Sequence, residues 1–131
     1  RRVLFRSSLN HQIMHVESIR NYCLLKAAVT ESFPFDQVTL VFKVGGKIFA
    51  TLRLDKKPLA INLKCDPERS VELRDSYQSV IPGYHSNKKH WNTIFVDGEL
   101  SKDLVEELID HSYNLVLVKL SKKIKAQFCL L

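Results

Sequence analysis

Residues 39–64 constrain the fold more than any other part of the chain. Thr39–Val44 alternates, with Leu40, Phe42 and Val44 on one side and Thr39, Val41 and Lys43 on the other. Gly45-Gly46 follows, and a glycine pair readily supplies the two positive φ angles that a tight hairpin of the I′ kind demands. Residues 47–54 return with Ile48, Ala50, Leu52 and Leu54 inward. Asp55-Lys56-Lys57-Pro58 turns the chain again, and residues 59–64 repeat the pattern with Leu59, Ile61 and Leu63 inward. Three successive segments of period two imply an antiparallel meander with one packed face and one wet face. The packed face needs a second layer to cover it.

Helical signals flank this meander. Ile19, Cys23 and Ala27, supported by Val16 and Leu24, recur at helical spacing over residues 16–28. Residues 30–35 break that pattern, because Pro34 cannot continue a helix and disfavours one before it. Asp66-Pro67-Glu68 opens a second helix that should run to about Tyr77. Asp66 can cap it, Pro67 fits the first position and Glu68 suits the positive end of the dipole. Residues 79–81 and 93–96 read as two further short strands, and Ser101 caps a final helix. Its stripe is Leu104, Val105, Leu108, Ile109, Leu115 and Val116. Acids crowd its first turns, and Lys119, Lys122, Lys123 and Lys125 crowd its end, as the macrodipole prefers. The order is α-β-β-β-α-β-β-α, an α+β fold in two layers. An antiparallel sheet packs against helices on one face.

A chain of 131 residues suits one domain, and 45% apolar residues with seven Phe argue for a packed core. No run approaches the roughly 18 apolar residues a membrane span needs, so no membrane partner is expected. Cys23, Cys65 and Cys129 are odd in number, widely spaced and without a CxxC pair, which points to a reducing, cytoplasmic setting. The net charge of +6 suggests an anionic partner. Part of it sits in residues 1–13, which hold Arg1, Arg2, Arg6 and no acid, so the remainder carries 6 − 3 = +3. The opening Arg1-Arg-Val-Leu-Phe-Arg-Ser7 can be back-translated into the end of a common sequencing adapter. The expected organisation is therefore a non-native or disordered leader at 1–13, a single domain at 14–128 and a tail at 129–131.

Four stretches carry a family resemblance. They are Thr39-Leu-Val-Phe-Lys-Val-Gly-Gly-Lys, Ile61-Asn-Leu-Lys-Cys-Asp-Pro-Glu-Arg, Pro82-Gly-Tyr-His-Ser-Asn-Lys-Lys-His-Trp-Asn-Thr and Asp110-His-Ser-Tyr. In this order and spacing the chain resembles the MmcQ/YjbR family over roughly residues 14–125. The resemblance implies a compact α+β fold of the same element order and a label of predicted DNA binding. Fold alone does not establish that activity.

The densest polar block runs from Tyr84 to Asn92. Lys88 and Lys89 can neutralise phosphates, His85, His90 and Asn87 can hydrogen-bond, and Tyr84 or Trp91 can stack on a base. The competing reading is a loop in which Trp91 packs into the core, Asn87 and Asn92 hold turns and the lysines are solvated. Phase counting adds a second surface, placing Lys43, Phe49, Thr51, Arg53, Asn62 and Lys64 opposite the Leu/Ile face. Arg53 and Lys64 would join the loop in contacting DNA. The alternative partner is a protein received on the exposed sheet face or edge. No nucleotide-binding, hydrolase or zinc-ligand motif is present, so neither catalysis nor a cofactor or metal is expected. Cys65 falls on the inward phase of its strand, where cysteine serves as a small hydrophobe.

Overall fold

The computed structural model describes residues 14–83 and 86–131. The expected leader at 1–13, together with Tyr84 and His85, lies outside the described residues. The elements run α1 (Val16–Leu24), β1 (Val29–Ser32), β2 (Thr39–Val44), β3 (Lys47–Arg53), β4 (Leu59–Lys64) and α2 (Pro67–Ser76). They continue with β5 (Val80–Pro82), β6 (Trp91–Val96), α3 (Lys102–Val118) and α4 (Lys122–Gln127). Among the described residues the six strands form one antiparallel sheet in the order β1-β2-β3-β4-β6-β5. This is the α+β architecture expected, with an added edge strand and a short extra helix.

β1 occupies part of the stretch whose proline marked a break. Ala28 turns the chain out of α1 at φ 60°, and Val29–Ser32 then pairs with β2 before Pro34. Arg20 of α1 clamps Glu31 of β1 through two bonds of 2.7 and 2.5 Å. The β2–β3 turn has Gly45 and Gly46 at φ 57° and 81°, as the hairpin requires.

α3 lies across the centre of the sheet, with Val105, Leu108, Ile109, Tyr113 and Val116 buried in the common core. The core's sheet side is Leu40, Phe42, Val44, Ala50, Leu52, Ile61, Leu63 and Ile94. Phe49 joins it, against the phase expectation. Phe42 pairs with Ala50 and Lys43 with Ile48, so Phe49 is an extra, bulged residue without a partner on β2. The bulge turns Phe49 under α3. There it is fully buried, 6.4 Å from the Phe42 ring and 5.3 Å edge-on to Tyr113.

The bulge also interrupts the β3–β4 ladder, and a helix side chain repairs it. The fully buried Ser112 Oγ accepts the Lys64 N–H at 2.9 Å and donates to the Phe49 carbonyl at 2.5 Å. Two main-chain groups that would lie buried and unpaired are thereby satisfied.

The capping reading holds for Ser101, whose side chain accepts the Leu104 N–H at 3.1 Å. Asp66 takes the N-cap position of α2 without a side-chain cap bond. α3 ends at Val118, and Ser121 caps the separate helix α4. Lys122 and Lys123 thus open α4 rather than close α3, so the dipole does not account for them. Beyond α4, Cys129 adopts φ 57°, its N–H bonds Ala126 O at 3.2 Å and the Leu130 N–H bonds Lys125 O at 2.7 Å. This is a Schellman closure, and Leu130 packs against the core as that motif favours.

Candidate nucleic-acid interface

The return of the chain from β5 to β6 is built around Asn87. Its Oδ1 accepts the Lys89 N–H at 3.0 Å, and its carbonyl accepts the His90 and Trp91 N–H groups at 3.1 and 2.9 Å. Asparagine suits this place because its short amide can stand in for a main-chain acceptor. Lys88 and Lys89 ride on the exposed outside of the turn, and His90 is half-buried. The His90 carbonyl accepts the Cys65 N–H at 2.8 Å, which ties the turn to the end of β4.

A residue absent from the expected set holds the turn from below. Arg74 of α2 donates through Nη2 to the Lys88 carbonyl at 2.5 Å and through Nε to Asn92 Oδ1 at 2.7 Å. The Asn92 amide, itself buried, donates on to Ser70 Oγ at 3.2 Å. Helix α2 therefore carries the lysine turn on a guanidinium bracket. Nothing in the local pattern marks Arg74, because the contact joins residues 14 to 18 positions apart. Asn92 serves this bracket rather than a turn.

Trp91 is half-buried and outside the core cluster, contrary to the reading that packed it inside. Its cross-strand partner is Lys64, so their main chains lie side by side at the sheet end. The Lys64 side chain, though, does not share the open face with Arg53. It lines a groove with Val116, Lys119 and Leu120 beneath the helical layer. Burial, followed by the Lys119 charge, lowers its pKa below the usual lysine range. The bulge displaces β3 from simple alternation, which is why phase counting misplaced Phe49.

Arg53 sits at the other end of the strands, opposite Ala60, so about 13 Å of β4 separates it from Lys64. Asp55 binds its guanidinium with two bonds of 3.0 Å, which raises the Arg53 pKa and lowers that of Asp55. Arg53 shares a shallow depression with Phe35, Asp36, Thr39, Thr51, Asn62 and Ser86, so the loop does reach this region. Asn62 links Thr51 and Thr93 across three strands, donating to the first at 3.0 Å and accepting from the second. The fold thus gathers Asn87, Lys88, Lys89, His90 and Trp91 and brings Lys64 to their border. It leaves Arg53 beside Ser86 alone among the described loop residues, its charge already answered by a carboxylate. Tyr84 and His85 lie outside the described residues.

Cys23 and Cys65 are buried free thiols, and burial pushes Cys23 up to about 12 and Cys65 upward. His111 spends Nε2 accepting the Asp66 N–H at 3.1 Å. Among the described residues no group of three or more His, Cys, Asp or Glu is placed to hold a metal ion. No helix among them is long and apolar enough to cross a membrane.

A family model described as YjbR matches residues 24–115. The chain belongs to the YjbR family. It is 38% identical over 115 residues to YbdF of Escherichia coli O157:H7, covering 88% of this chain and 93% of that one. It is 32% identical over 100 residues to YjbR of Escherichia coli K12, covering 76% and 85%. The crystal structure of Deinococcus radiodurans DR2400, a DUF419 domain, superposes with a TM-score of 0.84 at 41% identity, covering 92% and 91%. A Pseudomonas syringae protein superposes at 0.68 with 28% identity, covering 78% and 98%. Both Escherichia coli relatives are named as uncharacterized proteins, so membership carries the fold and no activity with it.

Proposed function

We propose that this chain is a non-enzymatic, cytoplasmic DNA-binding protein that grips phosphates through its 86–90 turn. The observation that carries the reading is the bracketed pair Lys88-Lys89 beside the half-exposed Trp91. Two cations held by a fixed main chain lose less freedom on meeting a phosphate than cations on a loose loop. An adjacent indole offers a stacking surface for a base that leaves the helix or for a single strand. Lys64 joins this corner only through its main chain, and Arg53 contributes little because Asp55 already pairs with it. Buried cysteines with raised pKa values suit inert packing rather than nucleophilic chemistry, and free thiols suit a reducing compartment.

Fluorescence anisotropy with duplex and single-stranded DNA across a salt series tests this reading. The logarithm of the affinity should fall linearly with the logarithm of salt. Lys88→Ala combined with Lys89→Ala should make that slope shallower by about two. Absence of binding to either DNA at low salt sinks it.

A second reading, a protein-recognition module, draws on a different edge. Among the described residues β1 ends the sheet, and Phe33 and Phe35 beyond it are 47% and 68% exposed. Such an edge can receive an added strand. A protein partner that co-purifies after nuclease treatment and is lost with Phe33→Ser and Phe35→Ser would favour it over DNA.

A further inference from the structure

The β2–β3 turn and the C-terminal corner enclose a groove of ≈ 490 Å³. Its floor is apolar, made by Ile48 of the hairpin, Val116 and Leu120 from the end of α3, and Ile124 of α4. The hairpin sits hard against the helical corner, since a Cβ on Gly45 would stand 2.6 Å from Leu120 Cδ1. Lys47, Lys64 and Lys119 form the rim, and no acidic residue lines the groove among those described. Lys122 and Lys123 add positive charge at the start of α4, where the helix dipole gives them no local reason to be.

Lys64 and Lys119 repel one another, and Lys64 is partly withdrawn from water. A bound anion relieves both costs at once. Ser121 also lines the groove. Its Oγ accepts the Ile124 N–H at 3.2 Å, so its own proton remains to donate. The volume falls within the range of small-ligand sites. A cationic rim over an apolar floor calls for a molecule charged at one end only.

We propose that this groove binds a free medium-chain carboxylate, its head between Lys64 and Lys119 and its chain along Ile48, Val116, Leu120 and Ile124. A monoanionic head bridges Lys64 and Lys119 and leaves the apolar floor to the chain. A dianion would bring a second charge over the apolar floor. The site goes beyond DNA binding and stands whether or not the 86–90 turn meets nucleic acid.

Titration of the full chain with decanoate, followed by calorimetry and amide chemical shifts, tests the site. Binding should saturate at one molecule per chain and shift the amides of residues 45–48 and 119–124. Affinity should rise about four-fold per methylene from octanoate to decanoate. Decanol should bind at least about ten-fold more weakly, and Lys64→Gln or Lys119→Gln should each cost about ten-fold, as loss of a charge-assisted hydrogen bond implies. Ile124→Trp should fill the groove and abolish binding. If that variant does not fold, Ile124→Ala should instead weaken binding several-fold. The proposal is overturned by no saturable binding, by shifts confined to another region, or by equal affinity for decanol and decanoate. Unchanged affinity in either lysine variant, or in a folded Ile124 variant, overturns it as well.

Discussion

Two corners at one end of the sheet solve the same problem by different means. At the bulge corner, a serine from α3 satisfies main-chain groups that β3 and β4 leave unpaired, and both the serine and Phe49 are fully buried. At the turn corner, an arginine from α2 holds the carbonyls of Lys88 and Trp91, and the residues it supports face water. A hydroxyl is small enough to enter the core without leaving a charge there, and its loss would strand two buried polar groups. A guanidinium needs water on one side, so it braces a surface loop. The first corner holds the fold, and the second presents a surface that a partner can touch.

Substitutions separate the two roles. Phe49→Ala should cost most, about 3–5 kcal/mol, because it empties a fully buried aromatic site under α3. Urea denaturation measures it, and a cost below about 1 kcal/mol would mean that the bulge side chain is not core. Ser112→Ala should cost about 2–3 kcal/mol by leaving the Lys64 N–H and the Phe49 carbonyl without partners. Its amide signature is specific: hydrogen exchange at Lys64 should accelerate more than at neighbouring strand amides. Arg74→Ala should cost about 1–2 kcal/mol through the buried Asn92 and loosen residues 86–91. It should also weaken DNA affinity while leaving the salt slope unchanged, unlike removal of the lysines themselves. Equal behaviour of Arg74→Ala and Lys88→Ala in both readouts would erase the distinction between bracket and contact.

The smallest effect is pH-dependent. His111 must be neutral at Nε2 to accept the Asp66 N–H, and burial, then Arg69, lowers its pKa below the usual value, against opposing pulls from Glu107 and Asp66. A lowered folded pKa contributes stability above the unfolded value near 6.5 and loses it as pH falls through the folded one. The urea midpoint should therefore decline from pH 7 toward pH 5, ahead of the carboxylate region. His111→Gln should flatten that decline.

The chain's own pattern carried most of the architecture. Alternation around Gly45-Gly46, the Asp66-Pro67 start and the Ser101 cap locate the meander and two of the helices, because each depends on neighbours within a few residues. The candidate turn was legible too, since Asn87, Lys88, Lys89 and His90 are contiguous. Its brace was not, because Arg74 reaches it only through the packing of α2 on the sheet.

Local rules also failed where one extra residue changed the phase. The sequence alone could count Phe49 as outward and Lys64 as its neighbour on a wet face, because period two is all that a single strand records. Whether a strand keeps that period depends on its partner, and β2 offers Phe49 none. By itself, then, the sequence determined the family, the contiguous lysine turn and the order of the elements other than β1 and α4. Tertiary structure alone decided which side Phe49 and Lys64 take, that Ser112 mends the ladder, and that three lysines from separate elements meet over one apolar floor. The physical reason is range: turns and caps act over a few residues, whereas a bulge and a groove exist only once distant strands and helices have met.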